Sequence, residues 1–204
     1  MSTISLTISF ITLYRQRKRI DVTWDPNVLV LNPKTDILIS NEPYPVDALV
    51  AFYTTIKIIN PSRCDMAFFD LRAFNPRTNE NHYILTKRTI LSHLKDFPIF
   101  VSPAPLSKDM PNSVKFFLTI PDKNTGPIKA GSFTQIDVLI YANPKIKLDK
   151  NIMISFKTTD TTFLQRSPYS DTNRKKYKAF HCNYCIDGYE KLLPNPTNVN
   201  RDNE

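Results

Sequence analysis

The chain has 204 residues, 41% hydrophobic and 23% charged, with a formal net charge of +8 and three cysteines. That balance excludes a disordered chain, and so few cysteines exclude a secreted disulfide framework. Three glycines against 16 prolines exclude Gly-rich phosphate loops.

Residues 1–14 (MSTISLTISFITLY) carry no charge, and Arg15, Arg17, Lys18 and Arg19 follow directly. An apolar-leaning segment that ends in cations is expected for one end of a membrane anchor. Lys and Arg beside a span stay on the cytoplasmic side. These four cations would therefore orient the chain and leave residues 20–204 facing the cytoplasm at the cell membrane. They would also be drawn to anionic headgroups, by about 1 kcal/mol each. The length falls short of the roughly 20 residues that a spanning helix needs. Six Ser and Thr residues are tolerable in lipid because they can bond back to helix carbonyls. The period-2 alternation of Ile4, Leu6, Ile8 and Phe10 also allows an edge β-strand. A signal peptide does not fit, because the cations lie on the wrong side and no small-residue cleavage site follows.

Strand patterns dominate from residue 20 onward. Ile20–Trp24 alternates until Asp25-Pro26, and Val28–Leu31 resumes until Asn32-Pro33. Val46–Asn60 is a long β-prone run around Thr54-Thr55-Ile56-Lys57-Ile58-Ile59. In Met66–Asn75, Phe69, Leu71 and Ala73 alternate with Asp70 and Arg72, which predicts Asp70 and Arg72 on one face. His82–Thr86 is a short strand, Lys87–Leu94 a helical turn or two, and Phe97–Val101 another short strand. Ser113–Ile120, Gly131–Ala142 and Asn151–Thr158 complete the strong candidates. Asp122–Pro127 reads as loop, Tyr177–Phe180 as a weak strand. Asn-Pro occurs at 32, 60, 75, 143 and 195, and the first four pairs fall at expected strand ends. Proline cannot donate to a ladder and pushes its predecessor away from the helical region, so these pairs act as punctuation.

About eight short strands with little helix predict an all-β domain, a β-sandwich or barrel. The expected domains are an apolar segment with its basic cluster (1–19), a sandwich (20–168) and a basic, polar, partly disordered tail (169–204). Three segments carry a further likeness: Thr55–Ser62 with its Asn60-Pro61 end, the strand Phe69–Phe74, and Ile128–Phe133 with its Gly131 turn. Together they resemble immunoglobulin-like β-sandwiches. With the N-terminal cluster, the chain is similar to small bacterial proteins that join one membrane anchor to a cytoplasmic sandwich. That resemblance implies a fold and a location but no functional residue.

His181-Cys182-Asn183-Tyr184-Cys185 is the one metal-like motif. Two thiolates at Cys-x-x-Cys spacing can hold one side of a zinc site, with His181 adjacent, but no second pair exists to close it. Two ordinary small cysteines are the simpler reading, and no cofactor is expected. Ser92, His93 and Asp96 are neighbours on the chain, whereas a catalytic triad is a spatial arrangement. Arg174-Lys175-Lys176-Tyr177-Lys178 could touch phosphates or be a solvated loop. The expected role is therefore non-enzymatic binding at a membrane, with lipid at the N-terminus and a protein as partners. Residues 101–111 and 75–81 are candidate recognition loops. The rival is a basic nucleic-acid-binding protein, suggested by a pI of 9.4. It lacks any RNA- or DNA-module signature.

Overall fold

The computed structural model describes residues 5, 7–9, 11–12, 20–39, 42–43, 48–102, 115–142, 149–159 and 177–186. The fold is all-β. Its strands are β1 (Asp21–Trp24), β2 (Leu29–Leu31), β3 (Ile37–Ile39), β4 (Glu42–Pro43), β5 (Ala51–Asn60), β6 (Met66–Phe74) and β7 (Asn81–Ile84). They continue as β8 (Ile99–Val101), β9 (Phe116–Phe117), β10 (Gly126–Ile128), β11 (Ser132–Tyr141), β12 (Asn151–Thr159) and β13 (Tyr177–Cys185). One 3-10 turn, Ser92–Leu94, lies within the expected helical turn.

The large sheet runs β1-β5-β11-β7-β6-β12-β13, with β2 added on β5 and β10 on β6. It curls in a barrel-like way. Trp24 of β1 and Phe180 of β13 come from opposite ends of the path, yet both pack on Phe156, at 5.8 and 5.3 Å between ring centroids. The first apolar cluster fills this curl with Phe52, Ile56 and Ile58 from β5, Val138 and Ile140 from β11, and Phe68, Leu71, Ile154 and Phe156 opposite them. The small sheet, β4-β3-β8-β9, covers part of the other face. Ile37, Ile39, Ile99 and Val101 meet Ala51, Leu139 and Tyr141 there in a second cluster. Residues 51–55 and 137–141 are thus covered on both sides. Burying one large apolar side chain is worth about 1.5–3 kcal/mol. An ion pair with an exposed partner contributes at most about 1 kcal/mol. The three ion pairs among the described residues are of that kind, so the two clusters hold the fold.

The Asn-Pro punctuation has a specific geometry. Asn32 accepts from the Lys34 N–H at 3.0 Å, Asn60 from Ser62 at 3.1 Å and Asn75 from Arg77 at 2.8 Å. Proline has no N–H, so the next available donor is two residues on, and the asparagine side chain closes an Asx-turn on it. Asn60 is fully buried and also donates to the Ile128 carbonyl at 3.1 Å, joining two turns at one end of the sheet.

Four features differ from the sequence-based expectation. β3 and β4 carry two or three residues each, too few to show a period. β10 forms despite Pro127, because it is an edge strand that pairs only with β6. In β6, Phe68 rather than Phe69 points inward. Asp70 and Leu71 together oppose Phe156, a β-bulge with Asp70 at φ 56°. Finally, β13 pairs with β12 through nine residue pairs, from Thr159–Tyr177 to Asn151–Cys185. The folded body therefore reaches Ile186, past the boundary expected at 168.

Candidate functional site

Residues 5, 7–9, 11 and 12 are helical, which removes the edge-strand alternative for this stretch. Ser9 Oγ donates to the Ser5 carbonyl at 2.9 Å, and Thr12 Oγ1 to the Ile8 carbonyl at 2.8 Å. These bonds satisfy both hydroxyls on the helix's own backbone. Ile8 and Ile11 are 59% and 50% exposed and join neither apolar cluster. No helix among the described residues is long and apolar enough to cross a membrane. Arg15, Arg17, Lys18 and Arg19 lie outside the described residues, and β1 begins two positions after them at Asp21.

The Cys-x-x-Cys motif is dispersed by strand geometry. Alternate residues of a strand face opposite ways, so positions 182 and 185 point to opposite sides of β13. Cys182 pairs with the inward-facing Ile154 and is half-buried, whereas Cys185 is exposed. His181 shares the outer side with Cys185, not with Cys182. No group of three His, Cys, Asp or Glu side chains among the described residues could hold a metal ion. Cys182 lies instead beside Tyr184, whose phenol is pushed up to about 12, mainly by burial. Tyr184 accepts a hydrogen bond from Thr54 at 3.3 Å.

Asp70 and Arg72 separate as well. The bulge turns Asp70 toward Lys157, with which it forms an ion pair, while Arg72 stacks over Phe74 at 4.2 Å. Phe69 meets the ring of Tyr177 edge-on at 6.2 Å. Residues 174–176 are outside the described set, and Tyr177 and Lys178 begin β13. Of the two candidate recognition loops, 75–81 is a tight hairpin turn. Asn79 N–H donates to the Asn75 carbonyl at 2.8 Å, and Arg77 pairs with Asp149 at 3.3 Å. Positions 103–111 lie outside the described residues.

Sequence reasoning missed Asp137, a fully buried carboxyl in the middle of β11. It accepts hydrogen bonds from Thr119 N–H at 2.6 Å, Thr55 Oγ1 at 3.0 Å, Gln135 Nε2 at 3.1 Å and Tyr53 Oη at 3.2 Å. Burial raises the Tyr53 phenol, Thr55 lowers it and Asp137 adds to the rise. The signal was an acid in a strand otherwise reading Ile136-Asp137-Val138-Leu139-Ile140. Alternation places it with Gln135 on the face opposite Ile136, Val138 and Ile140, and nothing in the sequence shows that this face is covered. Its bonds fasten residue 119 to β11 and leave no side directed at solvent. No protein-family model and no curated protein matches this chain.

Proposed function

We propose that this protein is a non-enzymatic, membrane-associated binding protein, with an immunoglobulin-like β-sandwich held against the cytoplasmic face of a bilayer. The observation that carries this reading is the N-terminal helix. Its Ser9 and Thr12 hydroxyls are satisfied internally, and Ile8 and Ile11 stand exposed rather than in the core. A helix of that kind suits lipid, where each polar group must be satisfied within the segment. The adjacent Arg15, Arg17, Lys18 and Arg19 would bind anionic headgroups and orient it. The sandwich reading draws on one apolar cluster shared by facing strands of a curled sheet. The non-enzymatic reading draws on the buried carboxyls. Asp36 accepts from Asn32 N–H and Thr35 Oγ1, and Asp137 from the four donors above, so both serve the fold. The protein partner would dock beside the membrane.

Carbonate extraction of full-length protein tests this. The wild type should stay with the membrane pellet, and the double variant Ile8→Asp, Ile11→Asp should move to the supernatant with an unchanged far-UV spectrum. Extraction of the wild type itself would end the anchor reading. Salt-sensitive retention of an oligonucleotide would then favour the nucleic-acid rival.

A further inference from the structure

One end of the large sheet is bare where the rest of the same face is covered. The outward residues of β5 and β11 are Ala51, Tyr53, Leu139 and Tyr141 in the half that the small sheet packs on. Toward the other end, the same face presents Ile59 and Phe133. These two are direct cross-strand partners, 46% and 58% exposed. Asp21, the first residue of β1, is the neighbour of Ile59 on its other side. Register therefore places this apolar pair next to the point where the chain enters the fold from Arg19.

The distances are short. Two residues from Arg19 to Asp21 span at most about 7 Å, and two strand spacings from β1 to β11 add about 10 Å. The turns at this end carry Arg63 and Lys129, and Lys57 shares the outward face of Ile59; all three are exposed. Two acids lie among them, Asp21 and Asp65. Asp65 already accepts from the Ala130 N–H at 2.8 Å. Gly131 N–H donates to the Ser62 carbonyl at 3.1 Å, which ties the two turns into one rigid rim.

We propose that this rim is a second lipid contact. Ile59 and Phe133 enter the interfacial layer of an anionic bilayer while Lys57, Arg63 and Lys129 meet headgroup phosphates. The inference rests on the N-terminal anchor, and it adds a fixed orientation, with β5 and β11 standing end-on to the membrane. Charge complementarity and continuity with the basic cluster favour lipid over a second copy of the chain.

The test uses full-length protein with Cys64, Cys182 and Cys185 changed to Ser and a single cysteine carrying an environment-sensitive fluorophore. The labelled positions are Ile8, Phe133 and, as control, Tyr83. Tyr83 pairs with Tyr141 at the far end of β11 and is 58% exposed. With vesicles of phosphatidylcholine and phosphatidylserine, labels at 8 and 133 should shift to the blue and be quenched by nitroxide lipid, and the label at 83 should not. Phe133→Ser in the otherwise native chain should weaken vesicle partition roughly tenfold, as expected for taking one aromatic ring out of lipid. A shift at 8 without one at 133 overturns the rim contact and leaves the anchor standing. No shift at 8 ends the anchor reading, and the rim proposal with it. A concentration-dependent shift at 133 without vesicles assigns the rim to a second copy instead.

Discussion

Replacing Asp137 by Ala removes the acceptor that four donors share, and the structure indicates which of them can recover. Gln135 is exposed and can turn to water. Tyr53 Oη and Thr55 Oγ1 lie 3.0 Å apart and can bond each other, leaving one hydroxyl hydrogen without an acceptor. The Thr119 N–H loses its 2.6 Å bond and has no second acceptor among the described contacts. Two part-buried donors thus lose their acceptor, each at the low end of about 1–3 kcal/mol, because Thr119 is exposed and Tyr53 half-buried. The expected loss is about 2 kcal/mol, or roughly 4–8 °C in melting temperature for a domain of this size. Asp137→Asn keeps an acceptor for the hydroxyls but turns an NH2 toward the Thr119 N–H, which should cost about 1 kcal/mol. Differential scanning calorimetry of the three proteins gives the order wild type, Asn, Ala. Amide exchange should show residue 119 losing protection in both variants. A melting point for the Ala variant within about 2 °C of wild type would refute the network's structural role.

Two further outcomes follow from single sites. A Cβ at Gly126 would stand 2.6 Å from the ring of Phe68, which is itself buried against the core. Gly126→Ala should therefore destabilise by about 1–3 kcal/mol by overpacking, read from urea unfolding; an unchanged midpoint would mean that Phe68 yields. Burial holds the His82 imidazole below its usual 6.5, with Glu80 acting the other way. On acidification the unfolded chain binds this proton first, so stability falls with pH from about 6.5 down to the lower folded value. His82→Gln removes that contribution. The difference in melting temperature between the two proteins should then vary with pH below about 6.5, and two parallel curves would count against it.

Much of the fold was legible along the chain, for physical reasons that act locally. β5, β11 and β12 are long enough to show period 2, and their β-branched runs suit a pleated surface. Asn32-Pro33, Asn60-Pro61 and Asn75-Pro76 mark strand ends because proline removes a donor and asparagine closes the turn that follows. The absence of charge before Arg15 likewise needs no partner to be noticed. Other features depended on contacts distant in sequence. β3 is too short to be seen alone, yet with β8 it covers Leu139 and Tyr141, while residue 119 closes over Asp137 beside them. The bulge at Asp70 arises from register against β12, and it exchanges the roles of Phe68 and Phe69. The fate of Cys182 and Cys185 was decided when residues 177–185 became a strand, since a three-residue step on a strand changes face. Nearest-neighbour chemistry set the elements and their ends. Which faces are covered, and so which polar groups are buried and which apolar pair stays bare beside the start of β1, came only from the packing of one sheet on another.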